Sequence, residues 1–88
     1  MMSKPNKRVW LIGGQTCALC DDASLLLDEA LVELQPEVAV TVEYVDVQSS
    51  TSLYHLYGAR IPVLLEQDKN LAFYWPFTTE NIKEFLRS

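Results

Sequence analysis

The sequence predicts an α/β domain: a four-stranded mixed sheet with helices on both faces, in the order β-α-β-α-β-β-α. Three observations carry this expectation. Val9-Trp10-Leu11-Ile12 is a short continuous apolar run, the pattern of a strand covered on both sides. The stretch after it carries apolar residues at spacings of three and four, the period of a helix with one buried stripe. Val38 to Val47 is then rich in β-branched residues, which suit a pleated surface. A strand, a helix and a strand in that order make a right-handed crossover between parallel strands.

The elements follow in order. Residues 1–8 read as a flexible, basic lead-in, and residues 9–88 as one domain. Gly13-Gly14-Gln15-Thr16 ends the first strand in a loop. The first helix is expected over residues 17–34, with Cys20, Ala23, Leu27, Ala30, Leu31 and Leu34 on its buried stripe. Asp21 and Asp22 fall in its early turns, where acids suit the helix dipole, and Pro36 stops it. Gln48-Ser49-Ser50-Thr51 offers N-cap residues for a short helix through Leu53, Leu56 and Tyr57, with Gly58 as its C-terminal stop. Ile61-Pro62-Val63-Leu64-Leu65 reads as the third strand, Gln67 to Asn70 as a turn, and Leu71 to Trp75 as the fourth strand. Thr78 or Thr79 caps a closing helix that carries Ile82, Phe85 and Leu86.

Composition narrows the function. The chain has 88 residues, enough for one core, and an apolar fraction of 49% argues against disorder. A net charge of −5 argues against nucleic acid and anionic membranes as main partners. No apolar run approaches the length of a membrane span or of a signal peptide's hydrophobic region, so a cytoplasmic location is expected. Two cysteines in such a chain do not make a disulfide scaffold.

Their spacing points to chemistry. In Cys17-Ala18-Leu19-Cys20 the first sulfur falls at the mouth of a helix, where unpaired amides and the dipole favour a thiolate. The second lies one turn on, within reach of a mixed disulfide formed at the first. Other readings of the pair stand beside this one. A Cys-x-x-Cys is also half of a tetrahedral zinc site, but His55 is the one further strong ligand in the chain. A metal or iron–sulfur site shared between two chains, or simple burial of both cysteines, remains open at this point.

The combination of Cys17-Ala18-Leu19-Cys20, Tyr57-Gly58-Ala59-Arg60-Ile61-Pro62-Val63-Leu64 and Trp75-Pro76-Phe77 resembles the thioredoxin superfamily. More closely, it is similar to a bacterial glutaredoxin-like family of poorly defined function, over residues 9–87. The resemblance implies a thioredoxin-like, glutaredoxin-type fold and a thiol–disulfide oxidoreductase. Cys17 and Cys20 are its catalytic residues, Cys17 as the attacking thiolate and Cys20 as the resolving thiol. The alternative is a redox-inactive module of the same fold that binds a protein. Pro62 is then a cis-proline facing the cysteines, and the main chain of Ile61 pairs with an extended substrate segment.

The sequence also departs from that pattern. Ala18 stands where a proline commonly follows the first cysteine, and the entering strand carries no carboxylate. Trp75-Pro76-Phe77 replaces the Gly-Gly turn by which glutaredoxins approach glutathione. The candidate substrate-binding set is Ile61, Pro62, Arg60, Trp75, Phe77 and Thr78, although Trp75 and Phe77 also read as core packing. His55, Asp21 and Asp22 read as surface residues. No metal and no cofactor are expected, with weak or absent binding of glutathione. The expected partner is a protein disulfide or a reductase, and the expected state is a monomer.

Overall fold

The computed structural model describes residues 6–15, 17–34 and 39–87. The strands are β1 (Asn6–Gly13), β2 (Ala39–Asp46), β3 (Val63–Glu66) and β4 (Leu71–Tyr74). The helices are α1 (Ala18–Leu34), α2 (Thr51–Tyr57) and α3 (Thr79–Arg87), with a short 3-10 turn over Val47–Ser49. The sheet order is β2-β1-β3-β4. β1 pairs parallel with β2, and β3 pairs antiparallel with both β1 and β4. This is the expected α/β architecture, with α1 and α3 on one face and α2 on the other. No helix among the described residues is long and apolar enough to cross a membrane.

The helical stripe of α1 falls as its spacing predicts. Ala23, Leu27, Ala30 and Leu34 are buried against Val9, Leu11 and Leu64 of the sheet and against Phe77, Ile82 and Leu86 of the closing segment. Alternation in β1 sends Ile12 to the opposite face, where it meets Val47, Val63 and Leu65. β1 begins at Asn6, three residues before the expected Val9, because its pairing with β2 continues to Ala39. Residues 1–5, Thr16, Pro36 and Val38 lie outside the described residues, so the start of the lead-in and the proline stop do too.

β3 starts at Val63 rather than Ile61, since Pro62 has no N–H to give to a ladder. The hairpin turns over residues 67–70, with Asn70 in the left-handed region at φ 55°. The buried Glu66 holds that turn by accepting from the amides of Asp68 (3.2 Å) and Lys69 (2.9 Å). Ser50 caps α2 through the amide of Leu53, and Thr78 caps α3 through the amide of Asn81 at 3.0 Å. Lys83 of α3 is buried against α1 and pairs with Glu33 and Glu80.

Candidate functional site

The C-terminal end of β1 and the start of α1 bring the cysteines together. Gly13 closes β1 opposite Asp46, and an added Cβ there would stand 3.1 Å from Cys20 Sγ, so glycine leaves the space the sulfur needs. Cys17 and Cys20 are joined by a disulfide with their Cα atoms 5.2 Å apart. Cys17 also begins the helix. Its carbonyl accepts from the amides of Cys20 and Asp21, and its Sγ accepts from the Cys20 amide at 3.1 Å. The first sulfur thus occupies the N-cap place of α1, where a negative charge is stabilised by unpaired amides. Cys17 is half-buried, whereas Cys20 is 9% exposed on the buried stripe of α1.

Facing Cys17 across a shallow hollow is the segment between α2 and β3. Gly58 follows α2 in right-handed helical geometry rather than as a left-handed stop. A Cβ there would lie 2.5 Å from the Tyr54 carbonyl oxygen, so the tight exit needs glycine. The chain then passes through Ala59 and Arg60 to Ile61. The Ile61–Pro62 peptide is cis, as is Trp75–Pro76. Pro62 is buried, and its carbonyl accepts from the Trp75 amide. No described residue makes a hydrogen bond to the N–H or the C=O of Ile61. Among the described residues the main chain of Ile61 is thus left unpaired, across one hollow from Cys17.

Three hollows surround this arrangement. One, about 270 Å³, lies behind Cys20 and is lined by Asp21, Ser24, Tyr44 and Asp46. The second, about 320 Å³, lies between Cys17 and Ile61, with Gln48, Tyr54 and Gly58 on its walls. The third, about 440 Å³, lies beyond Ile61 and is lined by Arg60, Tyr74 and Trp75. Acids thus stand at the Cys20 end and a guanidinium at the other. Asp46 is also tied into its own loop, accepting from the Gln48 amide at 2.8 Å.

The remaining predicted residues distribute unevenly. Arg60, Ile61 and Trp75 line the third hollow. Phe77 does not join them: it is 5% exposed, with its ring 5.0 Å from Phe73 and 5.3 Å from Trp75, inside the core. Thr78 is exposed and spends its hydroxyl on the α3 cap. His55 and Asp22 are exposed. Among the described residues no group of His, Cys, Asp and Glu gathers in a way that would hold a metal ion. Tyr54, Tyr44 and Tyr74 were not among the predicted site residues. A strand or short-helix tyrosine carries no local signal of the hollow it lines, because that depends on which loop folds over it.

A mixed sheet with a Cys-x-x-Cys at the mouth of its first helix, set against a cis-proline, defines a thioredoxin-fold protein of glutaredoxin-like type. The chain belongs to the glutaredoxin-like domain family (DUF836), whose model matches residues 8–87. No curated protein matches it. Among solved structures it is similar to target protein XcR50 from X. campestris, at 26% identity and a TM-score of 0.74, over 90% of this chain and 95% of that one. It shares its fold with protein Ne2328 from Nitrosomonas europaea, at 20% identity and a TM-score of 0.71, over 98% of each chain. The first thioredoxin domain of mouse protein disulfide-isomerase A4 has the same fold at 15% identity and a TM-score of 0.65, over 92% of this chain and 61% of that one.

Proposed function

We propose that the protein is a thiol–disulfide oxidoreductase acting on protein disulfides, with Cys17 as attacking thiolate and Cys20 as resolving thiol. The observation that carries this reading is the Cys20 amide aimed at Cys17 Sγ, with Cys17 the more exposed of the two cysteines. In the reduced protein that amide stabilises a thiolate at Cys17. The thiolate attacks one sulfur of the substrate disulfide, forming a mixed disulfide and releasing the other substrate sulfur as a thiolate. Cys20, losing its proton to solvent, attacks Cys17 Sγ, closes the Cys17–Cys20 bond and releases the second substrate thiolate. The two electrons given to the substrate come from the two cysteine thiols, and an external dithiol restores them.

The open backbone at Ile61 supports an extended protein segment as the occupant, held by strand-like pairing. Glutathione fits this reading poorly. Trp75 and Pro76 carry bulk where close backbone approach would call for glycine, and Pro76 has no N–H to donate.

The test is trapping. Cys20→Ser is expected to retain a stable mixed disulfide with a disulfide-bonded peptide, and Cys17→Ser to form none. In the reduced wild-type protein iodoacetamide should label Cys17 at least about tenfold faster than Cys20 at neutral pH. Faster labelling of Cys20, or trapping by Cys17→Ser, overturns the assignment.

A further inference from the structure

We infer that Arg60 forms an acid-recognising subsite beside the sulfurs, so that the preferred substrate segment carries a glutamate or aspartate close to its disulfide cysteine. This rests on the reading of the Cys17–Ile61 face as a disulfide-exchange site and names the substrate that it selects.

Four observations converge. Arg60 immediately precedes Ile61, and both line the hollow on the far side of Ile61 from Cys17. The guanidinium lies 5.3 Å from the ring centroid of Tyr74. This cation–π contact biases the guanidinium toward the hollow and leaves its N–H donors able to meet a carboxylate with two parallel hydrogen bonds. Among the described residues Arg60 makes no ion pair, unlike Arg8, which binds Asp68 at 2.8 Å, and Lys83, which binds two glutamates. Finally, the acids that share a hollow with Cys20, Asp21 and Asp46, do not line the Arg60 hollow.

The net charge of −5 does not oppose this. At physiological salt, charges farther apart than about 8 Å are largely screened, so the contact group decides. Side chains two residues apart on an extended segment share a face about 7 Å apart. A segment lying along Ile61 with its cysteine at Cys17 therefore sends the side chain two residues away toward Arg60. The acids at the other end of the site repel a carboxylate placed there, which gives the segment a preferred direction.

The probe is a set of short peptides, each with one cysteine joined in a disulfide to 2-nitro-5-thiobenzoate and with Glu, Gln or Lys two residues before or after that cysteine. Attack by Cys17 on the peptide sulfur releases the coloured thiolate, and Cys20 then releases the peptide thiol. In one of the two positions the wild-type protein should react about fivefold faster with Glu than with Gln, and more slowly still with Lys. Arg60→Gln should abolish that order, Arg60→Lys keep part of it and Arg60→Glu reverse it. In parallel, the same peptides with serine for cysteine are titrated into the Cys17→Ser/Cys20→Ser protein, following the Arg60 side-chain and Trp75 indole N–H signals. Equal rates for Glu, Gln and Lys, or an order that survives Arg60→Gln, overturn the inference while leaving the exchange reading intact. No thiolate release from any peptide, together with Glu-selective shifts at Arg60, removes the exchange reading and keeps the acid subsite. No exchange and no selective binding removes both.

Discussion

The two faces of the sheet are built to different standards. On the α1/α3 face, Leu27, Leu34, Leu64, Ile82 and Leu86 are fully buried in one cluster that takes residues from both helices, from β1 and β3, and from the loop before α3. On the α2 face the buried cluster is Ile12, Val47, Val63 and Leu65, all from strands or the 3-10 turn, and α2 itself contributes no buried residue. Leu53 and Tyr57 only lean on that cluster, and Leu56 is 63% exposed. Cys20 belongs to the first face and the Gly58–Pro62 edge to the second. The site is thus a junction between a buried sulfur and a less deeply packed wall.

The comparison is most easily broken by truncation. Leu27→Ala should cost about 3 kcal/mol of unfolding free energy, the range for a fully buried leucine that leaves a cavity, and Leu53→Ala only about 1 kcal/mol. Denaturant titration of the oxidised forms measures both; equal losses would mean the two faces are equally well packed. Hydrogen exchange sharpens the same point. Amides of α2 should exchange at least about tenfold faster than the central amides of α1, through local opening that leaves the larger core intact.

The smallest expected effect concerns the lock between α1 and α3. The hydrogen bond to Glu33, then that to Glu80, hold the Lys83 ammonium above its ordinary value of 10.5. A folded-state value above the unfolded one contributes stability that is complete below the unfolded value and is lost as pH rises through the folded one. The wild-type protein should therefore lose more stability than Lys83→Met between about pH 9.5 and 12. Parallel curves for the two proteins across that window would assign Lys83 a packing role alone.

Much of this was legible in the sequence because it rests on local pattern. The period of Cys20, Ala23, Leu27, Ala30 and Leu34 gave the buried side of α1, and the β-branched run gave β2. Cys17 of the Cys-x-x-Cys and Ile61 of the Ile-Pro pair lie on either side of one hollow. What escaped depends on partners distant in the chain. The burial of Glu66 follows from the amides of a turn that folds back on it, and the burial of Lys83 from a glutamate fifty residues earlier. Phe77 reads from the sequence as core packing first and substrate contact second, and its ring against Phe73 in the buried cluster leaves it the first role only. The stacking of Arg60 on Tyr74 joins two elements that no short window contains.

The hydrogen bond from the Cys20 amide to Cys17 Sγ has a thermodynamic counterpart. It requires α1 to be formed, and in an unfolded chain the same two cysteines are ordinary thiols. Folding and redox state then form a closed cycle. Whatever the folded protein adds to the preference for thiols or for the disulfide must reappear as a difference in stability between reduced and oxidised protein. In a two-electron couple about 30 mV corresponds to about 1.4 kcal/mol, so a pair of denaturation curves reads the redox poise of the pair without an electrode. A mutation anywhere in the α1 packing that weakens one redox form more than the other would shift that poise while leaving both sulfurs untouched.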